Sequence, residues 1–149
     1  MTNESLQEIL KSFPDLQFSE EASQFLNIIV PKEQYIDVLN KLKDEGFDYL
    51  FSMTGMDWGN ELGVTLHLER TEDRFMIVVK TMLEDRENPE LPTLEKIWKT
   101  AHLHEREIFD LFGINFKGHS VMKRLLLSED WEGYPMRKDW MDETKMIIR

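Results

Sequence analysis

A chain of 149 residues with 41% hydrophobic and 11% aromatic residues is long enough for one compact domain with a real core, and it is not disordered by composition. It has no cysteine, which excludes disulfides, thiolate nucleophiles, thiolate zinc sites and cysteine-ligated iron–sulfur clusters within the chain. The net charge of −11 sits entirely in residues 1–90, which hold 8 basic and 19 acidic residues, whereas residues 91–149 hold 10 of each. The acidic part should repel nucleic acid and anionic lipid.

The start, Met1-Thr2-Asn3-Glu4-Ser5, lacks a basic stretch followed by an apolar run, so no signal peptide is expected. Residues 4–12 suggest a short helix capped by Asn3 and stopped by Pro14. Phe25 to Val30 reads as a strand. Pro31 then opens a helix whose apolar stripe is Tyr35, Val38, Leu39 and Leu42, with Gly46 just past its end.

Residues 47–57 suggest a further strand, and Gly59-Asn60 a turn. Leu62, Val64, Leu66 and Leu68 alternate with Gly63, Thr65, His67 and Glu69, the period of a half-buried strand. After a turn at Thr71-Glu72-Asp73, Phe75 to Met82 forms a strand that is apolar on both faces at first and so belongs in the middle of a sheet. Its run Phe75 to Val79 is the longest strictly apolar stretch, far short of the roughly 20 residues a membrane span needs. Any membrane association is therefore expected to be indirect. Residues 84–92 read as a polar loop. Thr93 is expected to cap a long helix running to about Phe112 and ended by Gly113. The class is α+β: a mostly antiparallel sheet with helices packed on one face and an extended C-terminal tail.

Helical periodicity places His104 and Glu105 on the apolar stripe made by Leu94, Ile97, Trp98, Ala101, Ile108, Leu111 and Phe112. A buried carboxylate needs compensation. A cationic partner is expected for Glu105, with Lys123, Arg124, Arg137 and Lys138 as candidates. Arg106 and Asp110 stand at i,i+4 and suggest a surface pair. No metal site is expected. On a helix His102 and His104 lie about 200° apart, and His104 with Glu107 supplies only two ligands. A metal-dependent hydrolase using His102, His104, Glu105 and Glu107 is the rival of a different class. Nucleotide-binding glycine loops and nucleophile elbows are absent from the sequence.

Glu105-Arg106-Glu107-Ile108-Phe109-Asp110-Leu111-Phe112, then His119, then Lys123-Arg124-Leu125-Leu126, resembles the signature of the thirty-kilodalton, C-type subunit family of respiratory complex I (NADH–quinone oxidoreductase). Gly133-Tyr134-Pro135-Met136-Arg137-Lys138-Asp139-Trp140 resembles the family's following block, with Tyr134 in place of its usual His and Met136 in place of Leu. Met53-Thr54-Gly55-Met56-Asp57-Trp58 resembles its upstream strand.

The resemblance implies a subunit with no active site and no cofactor of its own, in a complex that uses iron–sulfur clusters and quinone. It implies packing against the large D-type subunit and neighbouring iron–sulfur subunits, peripherally on the cytoplasmic side of the cell membrane. The equivalent subunit of a membrane-bound hydrogenase is the alternative within the same fold. Residues 1–127 would form the domain and residues 128–149 a partner-binding tail. Glu105, Arg106, Glu107, Asp110, His119, Lys123, Arg124, Arg137, Lys138 and Asp139 would form an ion network orienting that tail. Trp131, Tyr134, Met136 and Trp140 would be its apolar anchors.

Overall fold

The computed structural model describes residues 1–20, 25–122 and 133–137, together with the backbone of 141–142 and 147–148. Helix α1 spans Asn3–Ile9. Its N-cap is Thr2 rather than Asn3: the Thr2 hydroxyl accepts from the Ser5 amide at 3.0 Å, and the Ser5 hydroxyl accepts in return from the Thr2 amide at 2.9 Å. A 3-10 turn, Leu10–Ser12, continues it, and Leu6 and Leu10 are buried.

Strand β1 (Gln17–Ser19) pairs antiparallel with β2 (Leu26–Ile29). Pro31 leads through a 3-10 turn, Lys32–Gln34, into α2 (Tyr35–Asp44), which buries the expected stripe of Tyr35, Val38, Leu39 and Leu42. Strands β3 (Tyr49–Asp57), β4 (Leu62–Arg70) and β5 (Phe75–Leu83) form an antiparallel meander.

The sheet order is β1-β2-β5-β4-β3, so β5 is central as its doubly apolar sequence requires. The β2–β5 pair is parallel, because α2 forms part of the connection between them and returns the chain in the same direction. Cross-strand rows such as Leu66 beside Val79 and Leu68 beside Ile77 carry the buried face.

The segment before the last helix departs from the periodicity. Within the expected loop, Glu90–Pro92 forms β6, which pairs in parallel with β7 (Asn115–Lys117). Helix α3 covers only Ala101–Phe112, not 93–112. Residues 95–97 and 99–100 are turns instead. Tertiary bonds hold them there: the Trp98 indole N–H donates to the Phe47 carbonyl at 2.9 Å, and the Thr100 hydroxyl to the Leu50 carbonyl at 2.8 Å. These contacts satisfy carbonyls at the start of β3, where the strand carries an irregularity between Leu50 and Ser52. Gly113, at φ 75°, ends α3 in the left-handed conformation expected of it. Among the described residues no helix is long and apolar enough to cross a membrane.

Candidate functional site

Helix α3 organises the polar groups. Glu105 is fully buried on its apolar face, as periodicity requires. Among the described residues, the groups that bond this carboxylate are neutral donors. The Thr93 hydroxyl donates to Glu105 Oε1 at 2.5 Å, and the Leu94 amide to Oε2 at 2.8 Å. Thr93 and Leu94 can do this because the chain turns there; a helix starting at Thr93 would have carried both away from Glu105.

Burial raises the Glu105 pKa to about 7, against the lowering effect of these two hydrogen bonds and with a further push from Glu95. Close by, the Tyr35 hydroxyl is fully buried and has no hydrogen-bond partner among the described residues. Burial, and then the Glu105 charge, raise its pKa well above the ordinary value. Of the expected cations, Arg137 lies elsewhere, and Lys123, Arg124 and Lys138 fall outside the described residues.

Next to Glu105, Glu95, His102 and His119 converge. His102 Nδ1 lies 2.9 Å from Glu95 Oε2, and His119 Nε2 lies 3.7 Å from the same oxygen and 4.0 Å from Glu105 Oε1. The two imidazoles stack with centroids 4.7 Å apart. The Ser120 amide donates to Glu95 Oε1 at 2.8 Å and the Ser120 hydroxyl to Oε2 at 3.1 Å. Hydrogen bonds from His102 and Ser120 hold the Glu95 carboxyl below its usual pKa. These bonds tie the chain beyond β7 to α3. Helical spacing sets His102 against His104 and does not reach Glu95 or His119 as its partners. The three residues come from separated segments, and no spacing motif marks them.

The C-terminal end of α3 carries the segment 133–137. The Met136 amide donates to the Leu111 carbonyl at 3.0 Å, and Arg137 Nε to the Phe112 carbonyl at 2.6 Å. These are carbonyls a helix end leaves without internal partners, and a cation is favoured beside them. The helix terminus therefore claims Arg137, which also sits 5.2 Å from the centre of the Tyr134 ring. Tyr134 in turn packs against Gly113, where a side chain would meet its ring at 2.6 Å. Met136 is 51% exposed and lines a cleft of about 260 Å³ with Met53, Gly55, Glu107, Leu111 and Phe112.

The remaining candidates are scattered. Glu107 is exposed at the cleft, and Arg106 is half-buried. Asp110 is fully buried rather than on the surface where the sequence places it. Trp131, Asp139 and Trp140 lie outside the described residues. Asp57, read from sequence as part of a strand motif, is almost fully buried and receives a two-pronged bond from Arg86, at 2.7 and 2.9 Å. It also accepts from the Gly59 amide at 2.8 Å. The Arg86 bond fixes the loop after β5 to the end of β3.

Comparison with known proteins agrees with this architecture. The family model described as "Respiratory-chain NADH dehydrogenase, 30 Kd subunit" matches residues 28–145. The C subunit of the NADH-quinone oxidoreductase of Moorella thermoacetica is 36% identical over 143 residues, covering 94% of this chain and 95% of that protein. The C/D subunit of the NADH-quinone oxidoreductase of Phocaeicola vulgatus is 50% identical over 124 residues, covering 82% of this chain. The match takes in only 24% of that relative's length.

Among solved structures, a trypsin-resistant fragment of Nqo5 superposes with a TM-score of 0.71 at 25% identity, over 79% of this chain and 96% of that one. A chain of the membrane-bound sulfane sulfur reductase, an archaeal respiratory membrane complex, superposes with a TM-score of 0.82 at 28% identity, over 95% of this chain and 86% of that one. The chain belongs to the family of the thirty-kilodalton subunit of respiratory-chain NADH dehydrogenase.

Proposed function

We propose that this protein is a positional, non-catalytic subunit in the peripheral arm of a membrane-bound NADH– or ferredoxin–quinone oxidoreductase. It packs against a D-type subunit and supports electron transfer to quinone coupled to ion translocation. The redox centres, iron–sulfur clusters and quinone, belong to its neighbours. The chain has no cysteine with which to hold a cluster by thiolates.

The observation that carries this reading is the docking of 133–137 on the end of α3. Helix carbonyls bind the segment's backbone and Arg137, Tyr134 seals against Gly113, and Met136 is left exposed at an apolar cleft. A turn held by these bonds, with an exposed methionine, suits an anchor for a neighbouring subunit. In this reading, hydrogen bonds to helix carbonyls and the Glu95–His102–Ser120 bonds act beside the expected ion network in orienting the tail. Fused relatives named C/D support a D-type partner, since a C-like and a D-like part lie in one chain.

Residues 128–149 are proposed as the partner-binding tail, and residues 1–127 as the domain it leaves. Attachment to the membrane is through the complex, on the cytoplasmic side. The resemblance to a chain of the sulfane sulfur reductase favours a second reading: the same position in a hydrogenase-like or sulfur-reducing machine. Purification of the tagged chain from native membranes, with mass spectrometry of what accompanies it, separates the readings. Stoichiometric NADH- or ferredoxin-oxidising and quinone-site subunits support the first. A large subunit with hydrogenase-type cysteine motifs supports the second. Recovery of the chain alone contradicts both.

A further inference from the structure

We propose that Glu95, His102 and His119 bind one divalent cation of the zinc class. The donor set is one carboxylate and two imidazoles, the composition of three-ligand zinc sites that leave a position for water. Glu95 Oε2, His102 Nδ1 and His119 Nε2 all lie within 4.8 Å of one another, and Oε2 is 2.9 and 3.7 Å from the two nitrogens. Ligand atoms about 2.0–2.1 Å from a tetrahedral zinc stand about 3.3 Å apart. Two of the separations therefore already bracket the required value.

The surroundings point the same way. A second carboxylate, Glu105, stands 4.0 Å from His119 Nε2, fully buried, and no Lys or Arg pairs with either carboxylate among the described residues. Two acidic groups thus face two imidazoles with no fixed positive charge between them. A bound cation would supply that charge. Ser120 orients Glu95 through its amide and hydroxyl, the supporting contact that metal ligands ordinarily have. His102 is one-third exposed and gives a route in from solvent.

Without metal, protons hold the cluster. His102 Nδ1–H donates to Glu95 Oε2, and His119 Nε2–H donates to the His102 carbonyl at 2.9 Å. His119 Nδ1 accepts from the Val121 amide at 3.0 Å. On binding, each neutral ring gives the metal the nitrogen that now carries hydrogen, and the proton moves to the other ring nitrogen. For His102 that nitrogen can face solvent. For His119 it is the nitrogen the Val121 amide now occupies, so that amide must turn away. The bound cation would fasten residues 119–121 to α3 and to the turns before it. No catalysis is assigned to it.

The test uses the purified full chain, stripped with chelator and titrated with zinc chloride by calorimetry. One equivalent should bind. Glu95→Gln and His102→Gln should each weaken binding by more than about 100-fold, since even residues that merely support a ligand cost about 10–100-fold. His104→Gln, on the same helix but outside the cluster, should leave it unchanged. Nitrogen-15 spectra of the wild-type imidazoles give an answer that does not depend on any variant folding. Zinc should shift the proton of both His102 and His119 to the opposite ring nitrogen and move the Val121 amide resonance. Weak or multiple binding insensitive to the variants, or zinc-independent ring tautomers, would overturn the proposal and leave the cluster a hydrogen-bonded clasp.

Discussion

Replacing Glu105 by glutamine removes a charge from a fully buried acidic site. The carboxyl has its pKa raised from 4.5 to about 7, with burial as the leading cause. In the unfolded chain it ionises near 4.5. The folded state therefore holds the proton more tightly, and stability falls as pH rises between the two values. Below the unfolded value the cost is absent; above about pH 7 it is complete. A shift of about 2.5 units at roughly 1.36 kcal/mol each amounts to about 3 kcal/mol.

Glutamine has nearly the same shape. Its carbonyl can accept from the Leu94 amide, and its amide can donate to the Thr93 hydroxyl oxygen, so the cavity and most hydrogen bonds survive. Urea unfolding of wild type and Glu105→Gln, with chelator present, should give a stability difference that moves in favour of the variant by about 3 kcal/mol between pH 4.5 and 8. A difference that stays flat across this range would refute the reasoning, because it would mean that Glu105 is ionised at no cost in the folded protein. Zinc added above pH 7 should reduce the gain, since a cation beside Glu105 favours its charged form.

Asp57→Ala should cost about 3 kcal/mol in the same assay, the lower part of the range for breaking a buried ion pair, because Arg86 is partly exposed and can rehydrate. Gly113→Ala places a side chain at φ 75°, 2.6 Å from the Tyr134 ring. It should cost at least about 1–2 kcal/mol and speed hydrogen exchange of the Met136 amide, which bonds the Leu111 carbonyl. Trp98→Phe keeps an aromatic ring but strips the Phe47 carbonyl of its donor and removes part of a buried side chain, with an expected loss of at least about 1–3 kcal/mol by urea unfolding.

Local pattern made much of the fold legible. The alternation from Leu62 to Leu68 marks β4, and the doubly apolar run around Ile77 and Val79 marks the central strand. Gly46 and Gly113 mark two helix ends. Periodicity also requires that Glu105 be buried. It does not identify what meets the carboxylate. Trp98 and Thr100 reach across to carbonyls of Phe47 and Leu50, and these long-range bonds override the helical pattern of residues 93–100. The turn they create is what brings Thr93 and Leu94 to Glu105.

The same limit explains Arg137. Opposite charge suggests Glu105 as its partner, whereas geometry gives it the open carbonyl of Phe112. The parallel pairing of β2 with β5 and the meeting of Glu95, His102 and His119 are likewise products of chain path, which spacing in sequence does not encode.

A photo-cross-linking residue placed at Met136 in the assembled complex tests the positional role most directly. Met136 is exposed at the rim of the cleft, and the same label at Glu72, highly exposed in the turn between β4 and β5, serves as comparison. Selective capture of a D-type subunit from position 136 is the expected result. Equal capture from both positions, or none from position 136 in an intact complex, would contradict the assignment of this end of α3 as the place where the subunit is held.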